Sequence, residues 1–88
     1  MNTSELFSVL ICVYGGDNPK TFSNSLESIF KNSVLPKKVV LVVDGPVTEG
    51  IDIVIENFKH NKSFKVFRLE KNLGLAHALN FGLRKIDT

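Results

Sequence analysis

Val40-Leu41-Val42-Val43-Asp44-Gly45 is an unbroken apolar run that stops on a carboxylate followed by a glycine. A strand covered on both faces needs such a run, because neither of its faces meets water. Such a strand delivers its acid to the rim of a parallel sheet, where the ligands of open α/β sheets collect. Residues 38–43 are therefore predicted to be a buried central strand. Upstream, residues 7–14 (Phe-Ser-Val-Leu-Ile-Cys-Val-Tyr) form a nearly continuous β-branched and aromatic run that predicts a second buried strand. Downstream, a third strand is predicted over about 64–69. There Lys65 and Arg68 interrupt Phe64, Val66, Phe67 and Leu69, as suits a sheet edge that must not pair with a stray chain.

Helices are predicted between and after these strands. Asn18 followed by Pro19 has the form of an N-cap with proline at the first helical position. Phe22, Leu26, Ile29 and Phe30 then share one helical face, and Asn32-Ser33 and Pro36 end the segment. Thr48 is placed to cap a second helix, with Glu49 in its first turn and Ile51, Val54, Ile55 and Phe58 as its apolar stripe. A third helix is predicted to open on Asn72, with Leu75, Ala76, Leu79, Leu83 and Ile86 as the stripe facing the sheet.

The order β-α-β-α-β-α with short links implies an α/β fold of parallel strands and right-handed crossovers. Strand order 3-2-1, half of a doubly wound sheet, is the natural arrangement. In that order the very hydrophobic first strand lies on an open edge. Such an edge is expected to be covered, by sequence beyond this chain or by self-association through strand 1 with another copy.

Composition narrows the partners. The 88 residues carry a net charge of +2 from eleven basic and nine acidic side chains, with the basic ones scattered. Nothing resembles the basic stripe of a nucleic-acid binder, so no nucleic-acid partner is expected. The single cysteine, Cys12, lies in an apolar run and reads as a small buried hydrophobe, and a lone cysteine excludes an intrachain disulfide. No stretch reaches the ~20 apolar residues of a membrane span. Met1-Asn2-Thr3-Ser4-Glu5 lacks the positive region of a secretory signal, so the expected location is cytoplasmic, with peripheral membrane contact left open.

Three groups are expected to converge at the carboxyl ends of the strands: Tyr14 to Asp17, Asp44 to Thr48, and Lys71 to Gly74. An acid at Asp44 accepts hydrogen bonds from a nucleobase imide or a ribose hydroxyl. Tyr14 offers a ring for a base to lie against, and the amides around Gly74, at a helix start, suit a phosphate. Each residue also has a plain alternative: Gly15-Gly16 and Gly45-Pro46 as ordinary turns, Asn72 as a cap, Asp44 as a solvated strand end. His77 reads as a surface or partly packed helix residue, and His60 lies in a polar turn. No phosphate-binding P-loop and no G-x-G-x-x-G after strand 1 occur.

The ordered set of segments resembles the family 2 glycosyltransferases. Ser8-Val9-Leu10-Ile11-Cys12-Val13-Tyr14 resembles their first strand, typically S-V-I-I-P-x-Y-N, and Leu26-Glu27-Ser28-Ile29 their L-x-S-I helix. Val42-Val43-Asp44-Gly45 is similar to their V-D-D-G-S strand end. Asn72-x-Gly74-x-x-x-Ala78-x-Asn80-x-Gly82 is similar to their N-x-G-x-x-x-A-x-N-x-G signature. The departures are Cys12 for proline, Gly15 for asparagine, Val43 for the first acid of the D-D pair, and Leu79 where arginine is frequent.

The resemblance implies a three-layer, Rossmann-like GT-A domain, with residues 1–88 as its N-terminal nucleotide-binding part, incomplete at the C-terminus. It implies an inverting transfer of sugar from a nucleotide-sugar, a UDP-sugar above all, to a glycan or lipid-linked acceptor hydroxyl in polysaccharide or glycan biosynthesis. The implied nucleotide-binding residues are Tyr14, Asp44, Gly45, Gly74 and Asn80. The metal-binding D-x-D, which holds Mn²⁺ or Mg²⁺ in the whole enzyme, and the catalytic base are implied to lie further along. No catalytic or metal-ligating residue is therefore expected in this chain, which alone is expected to be inactive. The alternative reading is a non-catalytic, flavodoxin-like interaction or signalling module. That module would want clustered acids after strand 1, where this chain has Gly15-Gly16.

Overall fold

A computed structural model describes residues 7–86, so the leading segment Met1–Glu5 lies outside the described residues. Six elements alternate as expected: β1 (Ser8–Val13), α1 (Pro19–Phe30), β2 (Lys38–Val43), α2 (Glu49–Phe58), β3 (Phe64–Arg68) and α3 (Leu75–Ile86). The three strands form one parallel sheet in the order β1-β2-β3, which is the expected 3-2-1 seen from the other side. In register, Cys12 lies beside Val42, which lies beside Phe67.

The central strand behaves as its composition requires. Val39, Val40, Leu41, Val42 and Val43 are at most 1% exposed. Alternation sends Val39, Leu41 and Val43 into a core with Phe22 and Leu26 of α1 and Ile51, Val54 and Ile55 of α2. It sends Val40 and Val42 to the opposite face, against Ala78 of α3 with Leu10, Phe67 and Phe81 around them. The result is three layers, two helices over one face and α3 over the other. Each fully buried aliphatic side chain contributes about 1.5–3 kcal/mol, so this double-sided strand is the main source of cohesion. Phe30 stacks on Phe58 at 5.8 Å and meets Phe64 edge-on at 5.6 Å, closing the α1–α2 core.

The first two helix starts follow the sequence. Asn18 accepts from the amides of Lys20 (2.8 Å) and Thr21 (3.2 Å), with Pro19 at the first helical position. Thr48 Oγ1 accepts from the Ile51 amide at 3.3 Å. Arg68, one of the charges predicted to protect β3 as an edge strand, is exposed and pairs with Asp52 at 2.9 Å. No helix among the described residues is long and apolar enough to cross a membrane.

The third helix corrects two expectations. It begins at Leu75, so Asn72 stands too far back to cap it, and the N-cap position falls to Gly74, whose carbonyl accepts from the Ala78 amide at 3.1 Å. The face on the sheet is also not the leucine stripe. Leu75, Leu79 and Leu83 are 64%, 36% and 54% exposed, and the buried positions are Ala78 and Gly82. Helix and sheet approach too closely for large residues. A Cβ on Gly82 would collide with a methyl of Leu10 and come within 3.1 Å of one on Val42. The sheet therefore selects the row of smallest residues, and apolar periodicity alone points one row aside.

Two substitutions should accordingly fall in the reverse of the order that hydrophobicity suggests. Gly82→Leu overpacks the α3–sheet interface and should cost about 1–3 kcal/mol. Leu83→Ala should stay within about 0.5 kcal/mol. Urea unfolding midpoints for the two variants check this.

Candidate functional site

The carboxyl ends of β1 and β2 and the start of α3 enclose a cleft of about 420 Å³ lined by Cys12, Tyr14, Asp17, Asp44, Asn72, Gly74 and Leu75. Its size lies within the range of small-ligand sites, and its position is where open parallel sheets bind ligands. Strand parity explains its floor. Cys12 and Tyr14 continue the face of Leu10, and Asp44 continues that of Val40 and Val42, so all three project toward the α3 side.

Tyr14 is 47% exposed and is held by its own loop. Its amide donates to Asp17 Oδ2 at 3.0 Å, the Asp17 amide donates back to the Tyr14 carbonyl at 3.1 Å, and its ring lies over Gly16. A Cβ at Gly16 would come within 2.6 Å of that ring. Gly15-Gly16 is thus more than a turn, since its second residue is the surface on which the ring rests.

Asp44 is 4% exposed, the one buried charged side chain among the described residues. The Leu73 amide donates to Oδ1 at 2.9 Å and the Gly74 amide to Oδ2 at 3.1 Å. Charge-assisted bonds of this kind satisfy a carboxylate out of water. The solvated-strand-end alternative for Asp44 is therefore set aside. The same bonds engage the Gly74 amide that had been assigned to phosphate. An anion at the start of α3 would meet the amides of the helix's first turn instead.

The five residues implied as a nucleotide site do not all share the cleft. Tyr14, Asp44 and Gly74 line it. Gly45 lies behind it, at φ +86°, with its α-carbon against the backbone of Lys71 and Asn72. Asn80 is exposed on α3 and lies outside the cleft lining. His77, too, is exposed. Cys12 and Leu75 line the cleft without having been singled out as ligand-facing, although parity with Tyr14 carries the signal for Cys12.

The donor set does not fit a metal ion. Among the described residues no group of three or more His, Cys, Asp or Glu side chains is placed to hold one. Both oxygens of Asp44 and one of Asp17 already accept from backbone amides.

The cleft does perturb its thiol. Burial, and secondarily the charge of Asp44, push the Cys12 thiol above its ordinary value. A raised pKa leaves less thiolate at any given pH, so alkylation by iodoacetamide at neutral pH should run slower than for a free thiol. The rate should climb only above the usual thiol range, and Asp44→Asn should shift that rise to lower pH. A rate-against-pH series on both proteins checks it.

The family model for glycosyl transferase family 2 matches residues 8–88. The chain is 46% identical over 79 residues to the UDP-Gal:alpha-D-GlcNAc-diphosphoundecaprenol beta-1,3-galactosyltransferase of Escherichia coli, covering 90% of this chain and 29% of that protein. It is 39% identical over 80 residues to the amylovoran biosynthesis glycosyltransferase AmsE of Erwinia amylovora, covering 91% and 30%. It is 32% identical over 81 residues to a poly-beta-1,6-N-acetyl-D-glucosamine synthase of Staphylococcus epidermidis, covering 92% and 19%. The chain thus spans no more than about 30% of the length of these relatives. No solved structure matches it.

Proposed function

The chain belongs to glycosyl transferase family 2, and we propose that it is the donor-nucleotide-binding part of an enzyme that moves sugar from a nucleotide-sugar to an acceptor hydroxyl in glycan or polysaccharide assembly. The observation that carries this reading is the convergence of the Tyr14 ring, the Asp44 carboxylate and the start of α3 on one cleft at the carboxyl ends of parallel strands. A nucleobase would lie against Tyr14. Its ribose and diphosphate would run toward Gly74 and the free amides of the first turn of α3, where the helix dipole favours negative charge.

UDP is the proposed carrier, because the Escherichia coli relative is by name a UDP-Gal transferase. That relative's name also supports a lipid-linked diphosphate acceptor, and a cytoplasmic location peripheral to the membrane is proposed with it. Acceptor-hydroxyl deprotonation and stabilisation of the departing diphosphate by Mn²⁺ or Mg²⁺ are assigned to parts of the enzyme other than this chain. The chain alone is therefore proposed to bind donor without transferring sugar.

Titration with UDP, GDP and dTDP, followed through the backbone amides of Tyr14 and Asp44 by NMR, tests the reading. UDP should shift both amides saturably, at lower concentration than the other two. No response to any nucleotide would overturn the proposal.

Self-association through β1 belongs to the same proposal. Its support is that, among the described residues, β1 pairs only with β2, while its side chains are largely half-buried apolar groups. Sedimentation of the 88-residue chain should show a concentration-dependent dimer, and a monodisperse monomer counts against it.

A further inference from the structure

We propose that Gly16 is a positioning residue of the cleft: its missing side chain is the seat that holds the Tyr14 ring ready for a nucleobase. The effect on nucleotide rests on the function proposed above, whereas the seat itself does not.

The two glycines after β1 lack side chains for different reasons. Gly15 lies against the turn that follows β2. A Cβ there would stand 2.9 Å from the Pro46 carbonyl oxygen, a backbone atom that cannot swing aside. Gly16 is exposed, and its φ lies outside the left-handed region, so backbone conformation does not call for glycine. The nearest atoms that a Cβ on Gly16 would meet all belong to the outer end of the Tyr14 ring: Cε2 and the hydroxyl oxygen at 2.6 Å, and Cζ at 2.7 Å. The bare position is thus occupied by the ring.

Ring and seat belong to one four-residue turn whose ends are tied twice. The Tyr14 amide donates to Asp17 Oδ2 at 3.0 Å, and the Asp17 amide donates to the Tyr14 carbonyl at 3.1 Å. With Gly15 lodged against Pro46 as well, the freedom left to the ring is rotation about its own side-chain bonds. Contact with Gly16 selects among those rotations. Tyr14 lines the cleft and Gly16 does not, so Gly16 acts through the ring. A ring already held has less freedom to lose when a base settles on it, and an unheld one would weaken binding by about two- to tenfold.

The test compares the parent chain with Gly16→Ala, Tyr14→Ala and the double variant, by calorimetry with UDP, GDP and dTDP. A methyl at position 16 pushes aside a side chain and no backbone, so Gly16→Ala should not lower the urea midpoint. It should nevertheless weaken whichever nucleotide binds by about fivefold. Tyr14→Ala should weaken it by about tenfold. The double variant should match Tyr14→Ala within about twofold, because without the ring the seat holds nothing. Proton NMR supplies a readout free of nucleotide: in the parent, the Tyr14 ring protons should lie in close contact with the Gly16 α-protons.

Absence of those contacts, a lowered midpoint in Gly16→Ala, or a loss of affinity under about twofold would overturn the proposal. So would an equal loss from Gly16→Ala in the presence and absence of the Tyr14 ring, since Gly16 would then act by another route. Should Tyr14→Ala not fold, the ring contacts and the Gly16→Ala affinity decide without it. If no nucleotide binds, or if Tyr14→Ala binds as the parent does, the function proposed above loses its base contact, while the ring contacts still judge the seat.

Discussion

One strand holds this molecule by its middle and by both ends. Between Lys38 and Asp44, β2 is an apolar rod that must be covered on both faces, and that demand recruits α1 and α2 on one side and α3 on the other. At its ends the demand is electrostatic. The cation and anion flanking the rod match the poles of a helix running antiparallel to it, over nearly the same length. Neither interaction suffices alone. Burial holds α3 close to the sheet through the small residues Ala78 and Gly82, and the two charged ends add bonds at either end of the helix.

This arrangement decides what the cleft offers a ligand. Its two acids are occupied by structure, Asp17 with the backbone of Tyr14 and Asp44 with the backbone that precedes α3. They still line the cleft, beside an aromatic ring, a half-buried thiol and the first turn of a helix, and the backbone bonds hold them in place there. Val43, where the resemblance to the family led one to expect the first acid of a D-D pair, is buried in the α1–α2 core. An ionised side chain at that position would face hydrocarbon rather than the cleft.

The sequence revealed the sheet and the two helices of its first face with little loss, because each signal there is local. Apolar runs mark buried strands, and Asn18-Pro19 and Thr48 mark helix starts through bonds to residues two or three places on. The third helix was legible only in outline. Its true cap position and its buried face depend on how near the sheet lies, which is set by Leu10 and Val42, tens of residues away. The candidate site divides in the same way. Tyr14 and Asp44 were legible from strand ends and parity, and Cys12 could have been by the same parity. The engagement of the Gly74 amide by Asp44, and the exclusion of Asn80 from the cleft, are properties of the packed molecule and of no short segment.

The bonds from Asp44 to Leu73 and Gly74 join positions 29 and 30 residues apart. Contacts of such separation must first meet the entropy of closing the intervening chain, and they are rewarded only once that chain has condensed. Pairing of β2 with β3 shortens the effective separation to a few residues, after which the carboxylate and its two amides meet almost without cost. Closing the mouth of the cleft is therefore expected to follow β2–β3 pairing, and its two amide bonds to depend on that ladder.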